Sequence, residues 1–131
     1  MARYADNALA IEALVREAEV HRDVYVDPEI FELEMKHLFP NSWVYVGHAS
    51  QIPNPGDYLT TDIGDQPVLA SRDADGSIYV FYNRCAHKGV KIASEACGNT
   101  GKFFRCPYHA WSFKTNGALL AIPFKDRKSV V

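Results

Sequence analysis

The chain has 131 residues, a net charge of −2, 47% apolar residues and three cysteines. That length gives one ordinary domain with a real core and a short appendage, and the charge argues against nucleic acid or an anionic membrane as partner. An odd cysteine count does not make a secreted disulfide framework, and it favours metal binding in a reducing cytoplasm. Met1 to Asp6 lack the basic start and apolar core of a signal peptide. No apolar run approaches the length of a membrane-spanning helix.

Residues 1–41 read as a helical lead-in of two helices. Ala8, Ile11, Leu14, Val15 and Ala18 fall on one helical face, with Glu12, Arg16, Glu17 and Glu19 around the rest. The second helix has clearer ends. Asp27 can cap it, Pro28 suits its first turn, and Pro40 and Asn41 stop it. Phe31, Met35 and Leu38 form its apolar stripe, read as packing surface.

Residues 42–124 then change to short β segments, with 125–131 as a tail. Trp43 to Gly47 reads as a strand, Ile52 to Gly56 as a turn, and Tyr58 to Ile63 as an alternating strand. Val68 to Arg72 and Ser77 to Tyr82 flank Asp73-Ala74-Asp75-Gly76, a hairpin signal because Gly76 can take positive φ. Phe103 to Arg105 and Trp111 to Phe113 are short strands. Thr115-Asn116-Gly117 turns the chain into a last strand, Ala118 to Ile122. The expected fold is mainly β: a small antiparallel barrel or sandwich with two ligand-bearing loops, preceded by two helices.

Those loops carry the chemistry. Cys85-Ala86-His87 and Cys106-Pro107-Tyr108-His109 form C-x-H, an eighteen-residue gap and C-x-x-H, each bracket following a β segment. Two mixed brackets suit a two-iron, two-sulfide cluster of Rieske type, in which two cysteines hold one iron and two histidines the other. Gly89 lets the backbone come close to an inorganic core, and Pro107 stiffens the second loop. A structural zinc site could also use two cysteines and two histidines, but its brackets usually pair like with like. A cysteine nucleophile with a histidine base explains neither bracket. Neutral imidazoles in place of two thiolates make the cluster less negative, which raises its potential to roughly −150 to +300 mV against about −400 mV for all-cysteine clusters.

The run Phe81-Tyr82-Asn83-Arg84-Cys85-Ala86-His87-Lys88-Gly89-Val90, with Cys106 to Phe113, resembles the Rieske domain of ring-hydroxylating oxygenase alpha subunits. Tyr25 to Phe31, Trp43 to His48 and Pro55-Gly56-Asp57-Tyr58 resemble the lead-in to that domain, so the likeness covers roughly residues 24–124. It implies a Rieske [2Fe-2S] cluster on Cys85, His87, Cys106 and His109. Respiratory Rieske proteins carry an extra cysteine in each loop, where Val90 and Tyr108 stand here, so the likeness is to the oxygenase and ferredoxin branch. The helical lead-in and Trp111 favour the alpha subunit over a free-standing Rieske ferredoxin, which stays as the alternative. Two positions depart from the family pattern: Lys88 stands where Arg is common, and Ala110 where Gly is common. Cys97 is read as a free thiol.

The resemblance implies one-electron transfer from a reductase or ferredoxin to a mononuclear iron in the catalytic domain of a neighbouring alpha subunit. That iron is held by two histidines and a carboxylate. His21, His37 and His48 do not form such a bracket, so the chain is expected to carry electrons without hydroxylating a substrate.

Overall fold

The computed structural model describes residues 3–123, so Phe124 and the predicted tail lie outside the described residues. The chain divides into two units, Met1–Val44 and Tyr45–Val131.

In the first unit, Asn7 caps a short helix, α1 (Ala8–Glu12), by accepting the Ala10 N–H at 3.1 Å. The helix predicted to run on through Ala18 stops there. Arg16 and Glu19 exchange backbone hydrogen bonds, and Val15 bridges Val20 antiparallel. A lone amphipathic turn gains little from burial, and helices this short do not sustain themselves, so the hairpin takes up the backbone groups instead. A second short helix, α2 (Asp23–Val26), follows.

The helix marked by Asp27 and Pro28 does form, as α3 (Pro28–Leu33), and Asp27 accepts the Glu29 N–H at 2.8 Å. It then widens into a π-helical turn, Glu34–Leu38, and closes in a 3-10 turn, Phe39–Asn41. The wider turn breaks the 3.6-residue spacing on which the Phe31–Met35–Leu38 stripe depended. Phe31 and Leu38 are half exposed, at 53% and 50%, and the buried residue of this helix is Ile30. Glu29 also anchors the start of the chain. Its carboxylate accepts the backbone N–H groups of Arg3, Tyr4 and Ala5 at 2.8, 2.7 and 2.6 Å, which holds it below the usual carboxylate range.

The second unit holds two antiparallel sheets. The first, in spatial order β3-β2-β1-β4, is built from β1 (Asp57–Ile63), β2 (Gln66–Arg72), β3 (Ile78–Tyr82) and β4 (Cys97–Asn99). The second, β5-β6-β7, contains Phe103–Arg105, Ser112–Lys114 and Leu119–Ala121. The Asp73–Gly76 hairpin is where the sequence places it, with Gly76 at φ 88°. Two strand assignments differ. Residues 43–47 are extended but unpaired, because no neighbouring strand supplies a ladder, and Tyr45 is exposed. β4 has no alternating apolar signal; it forms by pairing Cys97, Gly98 and Asn99 with the start of β1.

One core joins the sheets. Phe104 of β5 lies edge-on to Tyr58 of β1 at 5.4 Å and to Phe81 of β3 at 6.1 Å. Leu69, Ile92, Trp111 and Phe113 pack into the same cluster as Cys85 and Cys106. The Thr115 hydroxyl also donates to Asp73, tying the β6–β7 turn to the β2–β3 turn. The ligand loops therefore spring from different sheets that share one interior.

Candidate metal centre

Both ligand loops have the same backbone plan. In the first, the Cys85 N–H donates to the Val90 carbonyl at 2.8 Å, and the Gly89 N–H donates back to the Cys85 carbonyl at 2.8 Å. In the second, the Cys106 N–H donates to the Trp111 carbonyl at 2.8 Å, and the Ala110 N–H donates back to the Cys106 carbonyl at 3.1 Å. C-x-H and C-x-x-H differ as text but are loops of equal length closed at equivalent residues.

That equivalence explains Gly89 and Ala110 together. Each is the fourth residue after its cysteine, and each takes positive φ, 73° and 59° respectively. A Cβ at Gly89 would meet no protein heavy atom within 4 Å, so within the protein it is the positive φ that favours glycine there. Ala110 adopts the same conformation with a side chain. The left-handed region costs a non-glycine residue about 1–2 kcal/mol, and glycine costs roughly 0.5–1 kcal/mol in chain entropy. Ala110→Gly is therefore expected to stabilise the domain by about 0.5–1 kcal/mol, read as a higher denaturant midpoint of the cluster-loaded protein. A lower midpoint would contradict this account of the loop.

Asn83, two residues before Cys85, is fully buried and was not anticipated as a site residue. Its side-chain oxygen accepts the N–H groups of Ile92 and Ala93 at 2.9 and 3.0 Å, and its amide donates to the Ala93 carbonyl at 2.7 Å. These bonds pin the return segment behind the first loop. A buried asparagine between a strand and a cysteine carries no periodic signal; only its partners reveal it.

Across the loops, donors of the same kind meet. Cys85 and Cys106 are both buried and belong to the same core cluster. The His87 and His109 rings meet edge to face at 4.7 Å. The four donors stand as a sulfur pair in the core and a nitrogen pair of facing rings. Burial pushes the Cys85 thiol above its ordinary value. Burial also raises Cys106, but the backbone N–H groups of Tyr108 and His109 and the Cys85 thiol outweigh it, leaving Cys106 below its ordinary value.

The histidines differ in setting. His87 lies under the Trp111 indole, the two rings stacked at 4.8 Å and 4°, and Trp111 is itself buried. Burial, then the His109 and Lys88 charges, holds the His87 imidazole below its ordinary value, favouring the neutral ring that binds metals. Its Nδ1 is buried with no hydrogen-bond partner. Such an atom costs about 1–3 kcal/mol unless something else uses its lone pair or proton. His109 is exposed, with the Tyr108 ring against it at 3.7 Å. Two of the other three histidines serve locally: His21 Nδ1 lies 3.4 Å from Asp23, and His48 caps the 3-10 turn Ala49–Gln51. Cys97 is an exposed free thiol on β4.

Residues 42–130 match the Rieske [2Fe-2S] domain family. The chain is 41% identical over 121 residues to the alpha subunit of chlorobenzene dioxygenase from Cupriavidus sp. (strain PS12), covering 91% of this chain and 27% of that one. Among solved structures, a naphthalene 1,2-dioxygenase variant bound to phenanthrene superposes with a TM-score of 0.79 at 40% identity, over 88% of this chain and 26% of that chain. A quaternary ammonium Rieske monooxygenase in complex with L-carnitine does so with a TM-score of 0.75 at 32% identity, over 84% of this chain and 31% of that chain. The chain thus spans roughly a quarter to a third of these proteins. No helix among the described residues is long and apolar enough to cross a membrane.

Proposed function

The chain belongs to the Rieske [2Fe-2S] domain family, and from that premise we propose that it transfers single electrons as the Rieske part of an aromatic ring-hydroxylating oxygenase alpha subunit. Its cofactor is a Rieske-type [2Fe-2S] cluster, which supplies a one-electron couple when bound. Cys85 and Cys106 would hold one iron, and His87 and His109 the other. The observation that carries this assignment is the sorting of mixed brackets into a thiol pair and an imidazole pair, with His87 Nδ1 buried and unpartnered.

The surrounding residues have definable roles. Trp111 fixes the plane of His87 and keeps water from that side. Backbone N–H groups of Tyr108 and His109 on the Cys106 sulfur, and of His87 and Lys88 on the Cys85 sulfur, stabilise thiolate ligands. Fixed dipoles and a common core keep the ligand loops from reorganising as charge arrives.

In this reading residues 42–124 are the electron-transfer domain and 1–41 its lead-in. Electrons come from a reductase or ferredoxin and leave for a mononuclear iron in an oxygenase catalytic domain on a neighbouring alpha subunit. The dioxygenase relatives support an aromatic substrate for the whole assembly, whereas the carnitine-binding relative has the same domain beside a different substrate. A reducing cytoplasm suits three unpaired thiols.

Absorption and EPR spectra of the iron- and sulfide-loaded chain, oxidised and after dithionite, test the reading. The expected result is two irons per chain, one-electron reduction and mixed nitrogen–sulfur ligation. Zinc without iron or acid-labile sulfide would overturn it.

A further inference from the structure

The second ligand loop is reached from the first sheet by a short crossover. β4 ends at Asn99 and β5 begins at Phe103, so Thr100, Gly101 and Lys102 alone lead from the first sheet to the strand that precedes Cys106. A link that short has little slack, so β5 follows wherever its start is held. The Thr100 hydroxyl stiffens it further by donating to the Phe103 carbonyl at 2.7 Å.

Asn99 holds the start of that link. Its side-chain amide donates to the Asp57 carboxylate at 2.7 Å and to the Pro55 carbonyl at 3.1 Å, and its side-chain oxygen accepts the Gly101 N–H at 2.8 Å. The other Asp57 oxygen accepts the Asn54 backbone and side-chain N–H groups at 2.7 and 3.1 Å. These bonds, Asn99 foremost, hold the Asp57 carboxyl below the usual carboxylate range. Gly56 closes the contact. It is buried with φ 83°, its carbonyl accepts the Thr100 N–H at 2.9 Å, and a Cβ there would collide with the Gly101 carbonyl oxygen. The turns 54–57 and 99–101 therefore meet backbone to backbone.

A second contact carries the same position toward the ligand loop. Tyr58, the residue after Asp57, lies over Gly98, where a Cβ would stand 2.9 Å from the Tyr58 hydroxyl oxygen. The Tyr58 ring also meets Phe104 edge-on at 5.4 Å, and Phe104 is two residues before Cys106. An asparagine that only finished a turn would need one bond, such as Asn116 makes with the Ala118 N–H at 3.1 Å. Asn99 makes three, two of them to residues 44 and 42 positions away.

We propose that Asn99 and Asp57 are positioning residues for the metal centre: their clasp, closed at Gly56, sets where β5 delivers Cys106 and His109 against the first ligand loop. This rests on the cluster reading above. When the clasp opens, the crossover and β5 shift together, and the orientation of the second loop's donors changes with them. The ligands stay, but the fixed dipoles around them move, and with these the spectrum and the reduced fraction at a given potential.

EPR of the reduced, cluster-loaded chain separates this role from that of a turn that only stabilises. Asn99→Ala is expected to keep two irons per chain, to shift the g values, and to change the reduced-to-oxidised ratio about threefold at the parent's midpoint potential. Asp57→Asn, which leaves the Asn99 bonds to Pro55 and Gly101 in place, should shift the same readings in the same direction by less. It carries the test if Asn99→Ala fails to hold two irons. Exchanging the pair, Asp57→Asn with Asn99→Asp, re-forms a carboxylate–amide bond in reverse and should return both readings most of the way to the parent. Asn116→Ala removes a turn bond elsewhere in the unit and should leave both unchanged. Single variants with a lower denaturant midpoint but parental g values and redox ratio would overturn the proposal. Equal shifts in Asn116→Ala, or an exchanged pair no closer to the parent than Asp57→Asn, would overturn it too. Those outcomes leave the cluster reading standing, because the parent keeps its Rieske spectrum. A parent without that spectrum loses the cluster reading, and the clasp's role with it.

Discussion

Replacing His109 with alanine is expected to abolish the mixed nitrogen–sulfur signature of the loaded protein, and replacing Cys85 or Cys106 with serine to reduce bound iron from two per chain to near zero. The asymmetry follows from the donors. Each cysteine is buried in the common core, where thiolate is sustained by backbone N–H groups and by the iron it would bind. Loss of either leaves an iron with one sulfur ligand from the protein and opens the interior. His109 is exposed, so its loss leaves a coordination position open to water while the cysteine side persists. His87→Ala combines both effects, because it also removes the ring stacked under Trp111. Iron and acid-labile sulfide analysis with EPR checks all four variants. Retention of the Rieske spectrum in His109→Ala would remove His109 from the ligand set.

Asn83→Ala is expected to destabilise the domain by about 3 kcal/mol without removing a ligand. Three hydrogen bonds end at this one side chain, and truncation leaves two buried N–H groups and one carbonyl without partners. Each stranded group costs about 1–3 kcal/mol, softened where water enters the space. Against a total stability of roughly 5–15 kcal/mol this is a large fraction. It should lower the thermal midpoint by roughly 10–20 °C for a domain of this size. The return segment 91–93 would loosen behind the first loop, so the visible absorption of the cluster should decay faster at a fixed temperature than in the parent. Asn41 is the contrast: its side-chain amide bonds the His37 carbonyl at an exposed site, and Asn41→Ala should cost no more than about 0.5 kcal/mol. Equal midpoints for the two variants would show that the Asn83 bonds do not carry the loop.

Much of the second unit was legible because its signals are local. The Asp73–Gly76 turn, the Thr115–Gly117 turn and the strands around them follow from residues that force a reversal between runs of β-forming side chains. The helix at Pro28 was legible for the same reason, since Asp27 and Pro28 satisfy a helix start by themselves. The first predicted helix failed because periodicity describes a face without supplying anything to bury it against, and the chain folded back at Arg16–Glu19 instead. The strand β4 was invisible because Cys97, Gly98 and Asn99 have no β preference and pair only because β1 offers them an edge.

The site divides in the same way. The proposed donors are legible in covalent order alone: Cys85, His87, Cys106 and His109 in two brackets name the donor types, and with them the class of cluster, before any folding is considered. Which donors stand together was decided by tertiary structure. Each bracket holds one sulfur and one nitrogen, and only loops from two sheets closing over one core set thiol beside thiol and imidazole beside imidazole. The stack of Trp111 on His87, the buried hold of Asn83 and the shared backbone plan that puts Ala110 in a glycine's conformation are likewise long-range or dihedral facts. Sequence order gives the chemistry of a donor, but distance between donors remote in sequence is set by packing.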